Sequence, residues 1–234
     1  MRTSAQETLR TVVLIGLAVI LLMPIYWLLM SSLRPADHIF KFSSAFSVET
    51  FIPFSLTLDN YTQALQSHIA TALLNSLIVC FATVLFGVVV NSLAGFAFAV
   101  FEFRFKKTLF TLVLLSFMMP FESIVIPLYT LMRTLKWTDT YAALILPEVA
   151  GGLVIFLFYQ FFRAIPREIY EAARVDGASW WQIYLKMTMP LSGPTIATAS
   201  LMIFIHQWDA FFWPLVATSS ENLAVIQVAI ARNM

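Results

Sequence analysis

The chain has 234 residues, 60% of them hydrophobic and 12% charged, with a formal net charge of +1. That composition places it in a lipid bilayer, and the near-zero charge implies no nucleic-acid partner. Cys80 is the single cysteine, the three histidines are far apart in sequence, and neither an HExxH pattern nor a P-loop is present. No disulfide, metal site, cofactor or catalytic residue is expected, and the chain has no P-loop of its own for ATP.

Residues 1–11 carry Arg2 and Arg10 and precede an apolar run from Thr11 to Leu33. A bilayer core needs about 20 apolar residues. The run is therefore read as an uncleaved first span, with Pro24 as a kink. Residues 34–68 are mixed, with Phe40, Phe42, Phe46, Phe51 and Phe54 spaced through them. Leu58-Asp59-Asn60-Tyr61 has two readings: a short helix start with Asp59 as its cap, or an ordinary loop with buried aromatics.

A second span is expected from Ile69 to Phe101. Asn75, Ser76, Thr83, Asn91 and Ser92 interrupt it, and such residues face other helices more often than ligands. Glu102–Lys107 is a charged turn. The third span, Thr108–Met132, is broken by Pro120 and Pro127, with Glu122 between them. A carboxylate at that depth marks either a functional site or the outer interface. The fourth span runs from Tyr141 to Phe162, with Pro147-Glu148 and Gly151-Gly152 in its outer half. The fifth, Leu191–Ala217, carries Gln207, Trp208, Asp209 and Trp213.

Between the fourth and fifth spans lies the most polar stretch of the chain. Its first helix opens at Pro166, where the missing N–H costs nothing. Ile169, Ala172 and Ala173 share one face. Asp176-Gly177 ends it, because glycine accepts the left-handed conformation. Ser179 and Gln182 have capping-box spacing for a second helix, and Pro190 is expected to stop it. Trp180, Trp181 and Tyr184 give that helix an aromatic surface.

Glu171, Ala172, Ala173, Asp176, Gly177, Ala178, Pro190 and Pro194 together resemble the Glu-Ala-Ala cytoplasmic loop of ATP-binding-cassette (ABC) importer permeases. His206-Gln-Trp-Asp-Ala-Phe-Phe-Trp-Pro214 resembles a stretch of the carbohydrate-type permeases, with Asp209 where asparagine is usual. The resemblance implies an all-α polytopic membrane bundle of the type I importer permease class, in one domain over residues 1–234. It implies that residues 163–190 couple to an ATPase through Glu171, Ala172, Ala173, Asp176, Gly177 and Ala178. The implied partners are two ATPase copies, a second permease, an extracytoplasmic solute-binding protein and the bilayer. The implied cargo is a sugar, oligosaccharide or glycerol phosphate.

Sugar-binding chemistry calls for aromatic faces with polar groups. Gln207, Trp208, Asp209 and Trp213 offer both, with Glu122 and Glu148 as additions; helix packing is the alternative for each. With the N-terminus in the cytoplasm, nine of the fourteen basic residues fall on that side, in shorter segments. The positive-inside rule thus places the coupling loop and the N-terminus inside, in a multi-pass cytoplasmic-membrane protein. Family members carry a sixth span after a segment like Thr218–Met234, so a truncated or short five-span form is expected. Three other readings compete: an ion-coupled secondary transporter, which would need inverted repeats, a non-transporting scaffold, and, last, a membrane enzyme, for which no nucleophile, base and orienting group assemble in the sequence.

Overall fold

Prolines and glycines dictate where the apolar runs break. The computed structural model describes residues 4–35, 38–39 and 55–232. Among them there are helices and no strands. Phe40, Phe42, Phe46, Phe51 and Phe54 lie outside the described residues. The chain forms two units, Met1–Ala70 and Thr71–Met234.

In the first unit, α1 runs over Ser4–Ser32 with Pro24 inside it. Its Gln6–Ser32 portion is long and apolar enough to cross a membrane. The short α2, Asp59–Gln66, is tied to the end of α1. Asn60 donates to the carbonyls of Ser32 at 3.0 Å and Arg34 at 2.6 Å. The Tyr61 and Ser32 hydroxyls lie 2.6 Å apart. Asp59 is not the expected cap: it is the first helical residue, and its N–H donates to Thr57 Oγ1 at 3.1 Å. Its carboxylate still suits the positive end of the helix dipole.

The second unit opens within α3, a single 33-residue helix, His68–Val100. It too is long and apolar enough to cross a membrane. The next apolar runs are bent pairs rather than straight spans. Helices α4 (Lys106–Met118) and α5 (Phe121–Thr134) meet at 102°. Pro120 causes this break. A proline drives the preceding residue out of the helical region, and Met119 has ψ 127°. Pro127 stays inside α5.

Helix α6 (Tyr141–Ile145) tightens into a 3-10 turn, Leu146–Glu148, and meets α7 (Gly152–Ala164) at 45°. Helix α8 covers Arg167–Val175 and α9 covers Trp180–Ile183. A π-helical turn, Tyr184–Thr188, leads into α10 (Met189–Leu191). Helix α11 (Gly193–Trp208) follows at 80° to that segment. Pro190 therefore does not stop the helix. Its ring crowds the carbonyl four residues back and it donates no N–H; the wider π turn accommodates both. The break falls at Ser192 instead. Short helices α12 (Phe212–Ala217) and α13 (Ile226–Arg232) complete the described chain. Counting each bent pair as one span, up to five spans are present among the described residues.

The polar residues of α3 hold these breaks together. An opened helix frees backbone groups that lipid cannot satisfy. Asn91, 1% exposed, donates to Val149 O at 2.8 Å and accepts from Gly151 N at 2.9 Å. Asn75 donates to Asn222 O at 2.8 Å and Ala224 O at 3.0 Å, and accepts from the Tyr141 hydroxyl at 2.6 Å. Ser76 accepts the Ile226 N–H at 2.8 Å. The packing role expected of these residues is the one they have. Gly95 lets α3 approach α7: a Cβ there would lie 2.7 Å from Phe158 Cβ and 2.9 Å from Tyr159 N.

Two apolar cores result. One gathers Val79, Val125, Met132, Leu144, Trp213 and Val228. The other gathers Phe96, Phe158, Phe162, Tyr170, Ile183 and Tyr184. The second core carries the polar helix–turn–helix stretch.

Candidate functional site

Two regions hold the residues nominated from sequence. The first is α8, its turn and α9. Pro166 sits just before α8, in an extended conformation at ψ 136°. The helix closes with paired backbone bonds: Ala178 N to Ala173 O at 3.0 Å and Gly177 N to Arg174 O at 3.1 Å. This is the Schellman arrangement, and it places Gly177 at φ +84°. Only glycine adopts that conformation without steric cost. Ser179 then caps α9. Its side chain accepts from Gln182 N at 3.3 Å, and Gln182 Oε1 accepts from Ser179 N at 2.7 Å. The capping box is complete.

Two tyrosines fasten the stretch to the spans. Tyr170, 5% exposed, donates to Phe162 O at 3.2 Å. Burial raises the pKa of its phenol above the ordinary tyrosine value. The Tyr184 hydroxyl lies 2.7 Å from Ser92 Oγ on α3. Ser92 has one hydroxyl proton and sits 2.5 Å from Val88 O, so Tyr184 is the donor in the pair. Sequence reasoning placed Tyr184 with the aromatic surface and passed over Tyr170. The signal for Tyr170 was an aromatic ring on the side of the helix opposite Glu168. The face shared by Ile169, Ala172 and Ala173 is not the buried one: Ile169 and Ala172 are exposed, Ala173 is half-buried, and Tyr170 is the buried residue of α8. A large ring fills the gap beneath a nine-residue helix better than two methyl groups do.

Trp180 packs edge-on against Phe101, ring centres 5.0 Å apart, with the Arg174 guanidinium 5.1 Å over its ring. Trp181 remains 62% exposed. Glu171, Asp176 and Gly177 are exposed, and Glu171 forms no ion pair among the described residues. The turn thus presents a free carboxylate and a fixed backbone on a firmly seated base.

The second region lies where the 3-10 turn after α6 meets the end of α11. His206 Nε2 and Glu148 Oε2 are 3.1 Å apart. The Glu148 side chain is 15% exposed and that of His206 is 73% exposed. Asp209 caps the C-terminus of α11 and is exposed. Gln207 is buried, and its Oε1 has no hydrogen-bond partner. The Trp208 ring stacks on Phe204 at 5.8 Å. Trp213 is buried, its indole N–H donating to Ala143 O at 2.9 Å. Glu122 is exposed in the first turn of α5 and forms no ion pair among the described residues. Glu148 is thus brought to the α11 residues. His206, which opens the permease-like stretch but was not among the nominated site residues, is the residue that joins them.

Bent apolar spans with a capped, polar helix–turn–helix between two of them define a polytopic membrane permease. The chain belongs to the family of binding-protein-dependent transport system inner membrane components, which matches residues 87–234. It is 31% identical over 217 residues to the arabinooligosaccharides transport system permease protein AraQ of Halalkalibacterium halodurans, covering 92% of this chain and 77% of that one. It is 30% identical over 227 residues to the sn-glycerol-3-phosphate transport system permease protein UgpE of Shigella flexneri, covering 94% and 79%. Its fold is similar to the crystal structure of a bacterial ABC transporter involved in the import of the acidic polysaccharide alginate. The TM-score there is 0.85 at 22% identity, over 99% of this chain and 82% of that one. The chain is a membrane-embedded permease subunit of an ABC importer.

Proposed function

We propose that this chain is one half of a permease pair that moves a carbohydrate or glycerol phosphate inward, driven by a separate ATPase. The observation that carries the coupling part is the build of the α8–α9 stretch. A lever must not flex where it is pushed. Here a Schellman closure, a complete capping box and two tyrosine anchors hold the exposed Glu171 and the Gly177 turn. Residues 163–190 form the coupling loop of a single permease domain. Glu171 makes a charge-assisted contact with a basic group of the ATPase. Ala172, Ala173 and Ala178 permit its close approach, and Asp176-Gly177 shape the turn. Two ATPase copies close on ATP and push on this loop and on its counterpart in the second permease. Transport then requires two states of the bundle with different ATPase contacts.

The N-terminus is cytoplasmic in this reading, which puts the loop on the ATPase side. The basic-residue count supports that orientation. An extracytoplasmic solute-binding protein delivers the cargo. Relatives whose names specify arabinooligosaccharides, lactose and sn-glycerol 3-phosphate support the substrate class. Glu148, Gln207 and Asp209 supply hydrogen-bonding groups along the pathway, with His206 orienting Glu148. Trp208 offers an aromatic face, Trp213 braces the wall behind it, and Glu122 stands at the α4–α5 break.

The test is Gly177→Asp, with sugar uptake and ATPase co-purification both measured. Nothing lies within 4 Å of a Cβ at Gly177, so only the backbone is strained. Uptake is expected to fall at least about tenfold, the consequence of roughly 1.4 kcal/mol of lost coupling, with the chain still in the membrane. Normal uptake would rule out the lever.

A further inference from the structure

The end of the second unit beside α8 holds a cleft of about 1070 Å³. Five basic side chains line it: Lys106, Lys107, Arg163, Arg167 and Arg174. Two carboxylates, Glu102 and Glu171, oppose them. Glu102 is shared, at 3.1 Å from both Lys106 Nζ and Arg167 Nη2. Those two cations hold the Glu102 carboxyl below the usual carboxylate range, the Lys106 hydrogen bond first. Lys107, Arg163 and Arg174 have no ion pair among the described residues. Arg163 and Arg174 rest on neutral acceptors, the Tyr159 hydroxyl at 2.9 Å and Ala178 O at 2.6 Å. The cleft therefore carries an excess of three positive charges.

Its rim is apolar. Phe103 and Phe105 line the same cleft and are exposed. Phe105 holds φ +64° as the residue before α4, a conformation with a steric cost for a bulky residue. Leaving the cleft along α4, the exposed Leu109, Leu112 and Leu115 recur every third residue. They form one strip about 9 Å long. An inorganic anion would account for the charges but not for the aromatic rim or the strip.

We propose that this cleft binds an anionic phospholipid, its phosphate among Lys107, Arg163 and Arg174 and its acyl chains along Leu109–Leu115. Basic pockets between membrane helices take anionic headgroups for this reason. Glu171 and Arg174 belong to the lining, so the lipid touches the base of α8. The site would exist whether or not α8 couples to an ATPase, and its readout is binding rather than uptake.

The test is native mass spectrometry of the full chain in detergent, offered equal phosphatidylglycerol and phosphatidylcholine. Each basic group near an anionic surface strengthens binding about fivefold. Phosphatidylglycerol is expected to be retained over phosphatidylcholine by at least about tenfold. The triple variant K107Q/R163Q/R174Q should lose that preference, and K107R/R163K/R174K should keep it. Should the triple fail to accumulate, Lys107→Gln alone, at an exposed and unpaired side chain, should cut the preference about fivefold. Equal retention of the two lipids would overturn the proposal. So would a preference unchanged by removing the charges, displacement of the lipid by millimolar inorganic phosphate, or its displacement by a bound ATPase subunit.

Discussion

The Asn91 side chain closes the gap that Gly151 opens: its Oδ1 accepts the Gly151 N–H at 2.9 Å while its Nδ2 donates to Val149 O at 2.8 Å. One side chain on α3 thus completes the backbone of a bent span. Asn91→Leu is expected to cost about 3 kcal/mol, because a half-buried N–H and a buried carbonyl both lose their partner. The measurement is the thermal unfolding midpoint in detergent. An unchanged midpoint would mean that the bend between α6 and α7 needs no outside support.

Gly95 makes the α3–α7 contact possible. Backbone atoms cannot retreat as a flexible side chain can, and Tyr159 N would lie 2.9 Å from an added Cβ. Gly95→Ala is expected to destabilise by about 1–3 kcal/mol through overpacking. The same change at Gly16, where nothing lies within 4 Å, should be neutral or slightly favourable, since alanine is the better helix former. The pair of midpoints checks both.

The capping box at Ser179 governs local opening of α9. Ser179→Ala removes one of its two bonds and should cost about 1 kcal/mol. Amide exchange of residues 180–183 is then expected to quicken about fivefold, with α3 unaffected. No change in exchange would show that Tyr184 and Ile183 packing alone hold the helix.

Asp139 ties two loops of the second unit together. Its Oδ1 accepts from Ser220 N at 3.0 Å, Ser220 Oγ at 2.9 Å and Ser219 N at 3.0 Å. The Ser220 backbone donor leads in holding its carboxyl below the usual range; burial opposes it, and the Ser220 hydroxyl, Ser219 and Arg232 add to the lowering. A lowered folded-state pKa means the contribution is fully present above the unfolded aspartate value of about 3.9. It is lost as pH falls through the lower folded value. Asp139→Asn keeps a residue tolerant of the φ +60° found there but should lower stability by about 1 kcal/mol at neutral pH. Melting curves from neutral pH into the acid range should show the parent converging on the variant. A constant gap between them would mean that charge is irrelevant to this clamp.

Much of this protein was legible in the amino-acid string. Long apolar runs identify spans without tertiary information, because lipid makes every backbone group find a partner within its own helix. The Schellman glycine at 177 and the Ser179–Gln182 box were readable for a related reason: caps depend on neighbours a few residues apart. The placement of Asn75, Ser76, Asn91 and Ser92 in helix packing was readable too, since polar groups in lipid seek protein.

Tertiary structure decided the rest. Whether Pro120, Pro127 or Pro190 breaks a helix depends on what receives the freed backbone groups. The chain turns sharply at Pro120, passes through Pro127, and absorbs Pro190 in a π turn. Sequence spacing could not pair Glu148 with His206, 58 residues apart, or seat Tyr170 under α8. Local pattern determined which segments enter the membrane and how the α8–α9 turn is capped. Long-range packing alone decided where the spans bend and which polar groups meet, because each bend is stable only where another helix supplies its missing hydrogen bonds.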